Sequence, residues 1–467
     1  MFRLSKTAVF VIALLISSWS FGKPASPLEK SRKLDSVTKI QGTEKVSAFL
    51  SSQKKIRAYI SSAPGYGHQS ATFTVMKRFR QLGYHGEFEV IYQDEIASKL
   101  SSFMIGFDPA QSGWQKLSQI GISAISYSQF QKGIQQSELI PLGITGADDN
   151  IEFRGPEALN VKSYIRLEPQ EWGDSVLQYR NTSGSTVIPG LKDLGFHVEI
   201  DSSPEGLERA LKIPEASIEF GPKVPAIRSI LLKSDIDFGV IYGIGLLGNI
   251  AGRLKIWVEG LQNARKTEPQ LFRGGIVLPI FSHLNEQEIS SILWEFGLKD
   301  DTDPPENKSR KRAKKKPVEY YQWNDPGLVS ALEGLSSDQI LLVQMDRVPP
   351  DIFEIFVNKS RIPLLVAGKN TMNLAQSMGR PYINTVGDYN FPNSPSLSPK
   401  SQTIFNRGIE VFHYSMTGTT AQRRISAYLR QLMDENSELA QMFQNLALQE
   451  HDKVAEALQF YVSNLKN

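Results

Sequence analysis

Two short stretches hold the side chains best placed to do chemistry. In "PGYGHQSATFTV", from Pro64, His68 follows two glycines, Gly65 and Gly67, where an apolar run gives way to a helical pattern. Imidazole moves protons near neutral pH. At a helix start the positive end of the dipole favours its neutral form, which a general base needs. Asp94, at the end of the next apolar run, is the candidate acid to orient it. A turn histidine bonded to backbone is the structural alternative. In "PLLVAGKNTMNLAQSMGRPYINT", residues 363–385, an apolar run ends at Gly368 and a short helical pattern follows. Asn370 is read as the helix cap. The first turn, with Lys369, Thr371 and Asn373, offers amide donors, a positive dipole end and no acid, which suits a phosphate. An ordinary short connection between helix and strand is the alternative there.

A third stretch, "GIGLLG", spells G-x-G-x-x-G through Gly243, Gly245 and Gly248 after an apolar run. A dinucleotide site would also need an acid at the end of the following strand. That strand, "GGIVLPIF", ends in Ser282 and His283, so a nicotinamide cofactor is disfavoured.

These stretches need a scaffold. The chain has 467 residues, 40% hydrophobic and 22% charged, which predicts two or three globular domains. Its net charge of +3 does not argue for nucleic acid. With no cysteine, disulfides and thiolate chemistry are excluded. The six histidines show no HExxH or HxH spacing, no DxD pair ends a strand, and Asp148–Asp149 reads as a turn, so no metal site is expected.

Residues 1–22 read as a secretory signal peptide: Arg3 and Lys6, an apolar core, then Ser20 and Gly22 before the cut. The protein is expected to be exported, secreted or periplasmic. An uncleaved anchor is the alternative.

Strand and helix patterns alternate in two α/β blocks. The first, 55–225, contains "IRAYISS", the His68 turn, a helix over 71–83 and "EFEVIYQD", followed by strands at 121–128 and 196–200. The second, 235–435, contains "IDFGVIYGIG", a helix from Asn249, "GGIVLPIF", and a helix capped by Asn285 and Glu288 and stopped by Gly297. Residues 299–321 form a basic insertion, with seven cations between Lys308 and Lys316, read as a solvated disordered loop. Contact with an anionic membrane through 308–316 is the secondary reading. Helices over 419–434 and 437–464 end the chain. The fold class is α/β, with two facing Rossmann-like domains and C-terminal helices. Ligands of such domains bind at the C-terminal strand ends, so the cleft between the domains is the default site.

The motif Gly368, Thr371, Ala375, Gly379, Pro381 resembles the donor-binding motif of GT-B glycosyltransferases, G-x-x-[ST]-x-x-E-A-x-x-x-G-x-P. The chain departs at the glutamate that usually binds ribose, where Leu374 stands beside Asn373. Bacterial protein-arginine rhamnosyltransferases also lack it, and their run is closer to Gly368–Pro381. "MDRVPPDIFEIF" is similar to their loop and helix before the motif, which makes Arg347 a diphosphate clamp. "GYGHQS" resembles the first turn of galactolipid synthases and lipid II-forming enzymes, where Gly65 and Gly67 admit donor or acceptor. In such a chain Gly243 and Gly245 face the donor phosphates. The resemblance implies metal-independent sugar transfer from a nucleotide-diphosphate donor to an unknown acceptor, with no cofactor beyond that co-substrate. An exported compartment lacks nucleotide sugars, so the alternative is a non-catalytic exported protein binding a glycan or phosphorylated ligand on the same scaffold.

Overall fold

The computed structural model describes residues 43–62, 67–101, 103–147, 156–167, 178–181, 184–187, 196, 200–215, 220–244, 248–298, 317–385, 397–449 and 452–464. The leader, Gly65, Gly245, Asp148–Asp149 and the cationic run lie outside them. The chain divides at Lys45. Thr43–Lys45, the described part of the first unit, opens a helix, and both sheets belong to the unit Val46–Asn467.

The first half forms an eight-stranded sheet. Its strands are β1 Lys55–Ile60, β2 Glu87–Tyr92, β3 Gln115–Leu117, β4 Ile122–Ser126, β5 Ile140–Thr145, β6 Val161–Arg166, β7 Gln178–Asn181 and β8 Gly184–Val187. The order is β3-β4-β2-β1-β5-β6-β7-β8, parallel from β4 to β6, with antiparallel β3 at one edge and a β7–β8 meander at the other. Five of six residues in β1 and in β2 are buried, as a parallel sheet covered on both faces requires.

The second half holds a seven-stranded parallel sheet. Its strands are β9 Asp237–Phe238, β10 Ile241–Tyr242, β11 Ile276–Phe281, β12 Val318–Gln322, β13 Ile340–Gln344, β14 Leu364–Val366 and β15 Tyr382–Asn384. The order is β12-β13-β11-β10-β14-β15, with β9 beside β11. In both halves the strand order reverses at the first long-range pair, β1/β5 and β10/β14. Connections diverge there and leave a crevice at the C-terminal strand ends. These are the two Rossmann-like halves expected.

Several elements differ from the sequence reading. "IDFGVIY" is two short strands, because the chain at Gly239 presses on its neighbour: a Cβ there would stand 2.6 Å from Ile362 Cβ. The end of the segment read as an insertion is edge strand β12 on β13. Of 196–200 only Phe196 and Ile200 are described, and neither is in a strand. A helix at Pro399–His413, capped by Ser398, was not anticipated. The long C-terminal helix is two, Glu438–Gln449 and Lys453–Asn464. The capping box at Asn285 and Glu288 is present with both bonds.

Five helices set the geometry of the site: α1 Gly67–Gln81, α2 Ile250–Thr267, α3 Pro350–Lys359, α4 Lys369–Ser377 and α5 Lys453–Asn464. The last of them returns to the first half. Nε of Arg78 on α1 donates to Asp452 Oδ2 at 2.7 Å, both residues buried, and Asp452 Oδ1 accepts from the amides of Val454 and Ala455 at 3.2 Å, capping α5. Phe49 and Tyr461 meet edge to face at 5.4 Å. On the side of α1 turned to the second half, Lys77 reaches two acids of α3, Asp351 at 2.7 Å and Glu354. Burial pushes the Glu354 carboxyl up to about 7 against the pull of the Lys77 charge.

Removing one partner of a buried ion pair strands the other. Asp452→Ala is therefore expected to cost about 3–5 kcal/mol by urea unfolding, and Asp452→Asn, which keeps a cap oxygen, about half of that.

Candidate functional site

The first part of the site is built on the end of β1 and the start of α1. Ser61 follows β1 and turns its hydroxyl to His68, with Oγ 2.8 Å from Nδ1. The same hydroxyl donates to the carbonyl of Ala147, beyond β5, at 3.1 Å. With its proton spent there, Ser61 accepts from Nδ1–H, which leaves the imidazole lone pair on Nε2. His68 is 2% exposed. Gly67 is the first residue of α1. The helix is seated tightly: a Cβ on Gly146 would stand 2.2 Å from the Ala71 carbonyl carbon and the Thr72 amide.

Asp94, expected to orient the ring, is turned elsewhere. Its oxygens accept from the Ser128 hydroxyl at 2.6 Å and the Ser128 amide at 3.1 Å, at the start of the helix Tyr127–Gly133. Burial pushes its carboxyl up, and the Ser128 and Ser126 hydroxyls with the Ser128 amide outweigh this, so it lies below the usual range. The group against Nδ1 is thus a hydroxyl, and the bonds of Asp94 to Ser128 serve a helix start.

The second part lies at the C-terminal end of the second sheet. Gly368, not Asn370, is the N-cap of α4, at φ +139°. The helix begins a residue earlier than its polar cap signal, and the Asn370 side chain is released for a different contact. Its Nδ2 donates to Ser70 Oγ at 2.6 Å, across the seam to the first turn of α1. The two motifs, 300 residues apart in sequence, thereby meet. Thr371 is buried, and the Lys369 side chain lies outside the described residues. Asn373 is 3% exposed, and neither Oδ1 nor Nδ2 has a hydrogen-bond partner among the described residues. Each such buried orphan costs about 1–3 kcal/mol, so it calls for an explanation.

Gly243 follows β10 at φ +73°, its amide donating to Ser282 Oγ at 3.0 Å. A Cβ there would fall 2.3 Å from the Ala367 carbonyl oxygen. That close approach brings the glycine turn after β10 against the cap of α4.

Arg347 lies three strands from β14, roughly 14 Å at 4.8 Å per strand. Its carbonyl accepts from the buried Lys223 ammonium at 2.6 Å, and that of Met345 at 3.0 Å, while Lys223 stands 5.0 Å over the Trp323 ring. Burial, and then the charge of Arg347, lower the pKa of Lys99 on the first half. The Arg347 charge thus lies near Lys99.

Sequence reasoning missed Arg253. It stands in the first turn of α2, whose N-cap Asn249 accepts from the Gly252 amide at 3.3 Å. Nη1 donates to the carbonyl of Thr385, just past β15, at 3.1 Å. Among the described residues no group of three or more His, Cys, Asp or Glu is placed to hold a metal ion.

No family model and no curated protein matches the chain. Solved structures similar to it include UDP-GlcNAc 2-epimerase from Neisseria meningitidis bound to UDP-GlcNAc, at 13% identity over 88% of this chain and 100% of that one, TM-score 0.40. A family 9 glycosyl transferase from Veillonella parvula matches at 10% over 88% and 98%, TM-score 0.34. An alpha-glucosyltransferase in complex with UDP and DNA matches at 12% over 88% and 99%, TM-score 0.36. At these scores the fold stands on its strand order and the site on its side chains.

Gly243 and Gly248 both have positive φ, but a Cβ on Gly248 meets open space. Gly243→Ala is expected to cost about 2 kcal/mol more than Gly248→Ala in chemical unfolding, the excess measuring the approach to Ala367.

Proposed function

We propose that this chain transfers a sugar from a nucleoside-diphosphate donor to an acceptor held between its halves, without a metal ion. One observation carries the reading: the amide-rich start of α4 is tied through Asn370 to Ser70, two residues beyond His68. The place suited to a leaving diphosphate and the candidate base thus share one seam. In the reaction the acceptor hydroxyl gives its proton to Nε2 of His68 as its oxygen attacks the anomeric carbon. The bond from that carbon to the diphosphate oxygen breaks, and negative charge grows on the departing group. Preorganised amides at the α4 start and cations along the sheet edge stabilise that charge. The Nδ1–H tautomer imposed by Ser61 supports His68 as base, because it leaves the lone pair on the other nitrogen.

The leader favours a second reading. Export to a compartment without nucleotide sugars, together with Leu374 in place of a ribose-binding acid, suits a non-catalytic protein that binds a glycan or phosphorylated ligand. Export itself is part of the proposal, and a mature protein beginning at Lys23 outside the cytoplasm is its expected signature.

His68→Ala is expected to lower transfer by about 10²–10⁴ without unfolding the protein. Arg347→Ala is expected to weaken nucleoside-diphosphate binding about tenfold. Melting shifts with UDP, GDP and dTDP compounds and turnover of their sugars check both. Full activity in both variants removes the assignment, and shifts with free glycans alone favour the binding protein.

A further inference from the structure

Two side chains at the C-terminal end of the second sheet have bonding capacity that the protein leaves unused. Among the described residues Arg253 makes one bond, Nη1 to Thr385 O at 3.1 Å, and its buried Nε has no partner. No carboxylate among the described residues pairs with this guanidinium, whereas Lys255 two residues on pairs with Glu295 at 2.8 Å. Burial lowers its pKa, the direction expected of a cation with no anion beside it. Asn373 presents a carboxamide with donor and acceptor both orphaned. It is three residues past Asn370, whose side chain reaches the first half, and helical side chains lean toward the helix start, here the end of β14.

The two lie close to adjacent strand ends. Thr385, which holds Arg253, is bonded through its amide to Val366, the last residue of β14, at 2.9 Å. Gly368, two residues past Val366, caps the helix that carries Asn373. Other buried orphans of this half lie elsewhere: Trp257 Nε1 in the core against Phe412, Arg430 Nε on a guanidinium already paired with Glu268, and Arg380 Nε at the opposite, N-terminal end of β15, on a guanidinium that reaches Asn358 at 3.4 Å.

We propose that Arg253 and Asn373 are a pair of ligand contacts, Arg253 taking a phosphate-type anion and Asn373 taking a hydroxyl on the same ligand. A guanidinium matches the oxygens of a phosphate in two-point contact. A carboxamide with both atoms open matches a group that donates and accepts at one point, and a hydroxyl is that group. The pair selects a phosphorylated, hydroxylated ligand over a neutral glycan. This rests on the donor site of the proposed transfer and adds which side chains read which part of the donor.

The test uses the full mature chain, calorimetric titration and melting curves, with pyrophosphate, UDP, 2′,3′-dideoxy-UDP and UDP-glucose as probes. Arg253→Gln is expected to weaken pyrophosphate and UDP alike by about tenfold or more. Asn373→Leu is expected to leave pyrophosphate binding unchanged, to weaken the hydroxylated probe about two- to tenfold, and to raise the melting temperature of the unliganded protein. A loss already seen with UDP and absent with dideoxy-UDP assigns the hydroxyl to ribose; a loss confined to UDP-glucose assigns it to the sugar; either supports the pair. Unchanged pyrophosphate binding in Arg253→Gln overturns it. So does a lowered melting temperature with unchanged binding in Asn373→Leu, the mark of a carboxamide satisfied within the fold. Pyrophosphate held through Arg253 without turnover of any nucleotide sugar would sink the transfer and leave the pair standing. Wild-type turnover by Arg253→Gln would do the reverse.

Discussion

One helix belongs to both halves. α1 leaves β1 with His68 in its first turn, and three bodies press on it. Its own sheet meets it so closely at Gly146 that no side chain fits between. The second half meets it at Ser70 and Lys77. The helix that ends the chain meets it at Arg78. Ser70 and Lys77, two turns apart, share the strip that meets the second half, while Arg78, the residue after Lys77, lies about 100° round the helix. A helix fixed this way cannot turn about its axis without breaking one of the three. The position of His68 relative to the start of α4 is therefore set by the whole architecture rather than by a loop.

Polar groups in the seam are unevenly treated. Where the two halves hold each other, charges are matched: Arg78 with Asp452, Lys77 with two acids of α3. Such pairs contribute little net stability but penalise mispairing strongly, so they suit a joint that must have one geometry. At the C-terminal ends of β10, β14 and β15 the pattern reverses, with a carboxamide and a guanidinium held partly or wholly without partners. Unused bonding at these strand ends stands where a ligand of this fold would sit.

The legible parts of the sequence were those written in neighbouring residues. The alternation of strands and helices, the capping box at Asn285 and the glycine before α4 depend on spacings of a few positions, and each appears as read. β12 was hidden because seven cations precede it and only Val318 in it is buried. Asn370 looked like a cap because asparagine at a helix start usually is one, but its partner Ser70 is 300 residues away and no local pattern announces it. Arg253 carries no local signal of its own. Its meaning depends on β15 folding beside β14, which brings the Thr385 carbonyl within reach. Asp94 was chosen by strand order alone, and Ser128 competed for it successfully.

The replacement of an acid by a hydroxyl at His68 bears on the chemistry. A carboxylate against Nδ1 both fixes the tautomer and stabilises the imidazolium once a proton arrives. Ser61 does the first through its bond to Ala147, and does far less of the second, since a hydroxyl carries no charge. In the proposed transfer, a proton taken late, as negative charge builds on the diphosphate, would be held by that charge as imidazolium. Such coupling would demand that base and leaving group be close, and the bond between Asn370 and Ser70 joins the two helices to which the proposed transfer assigns them.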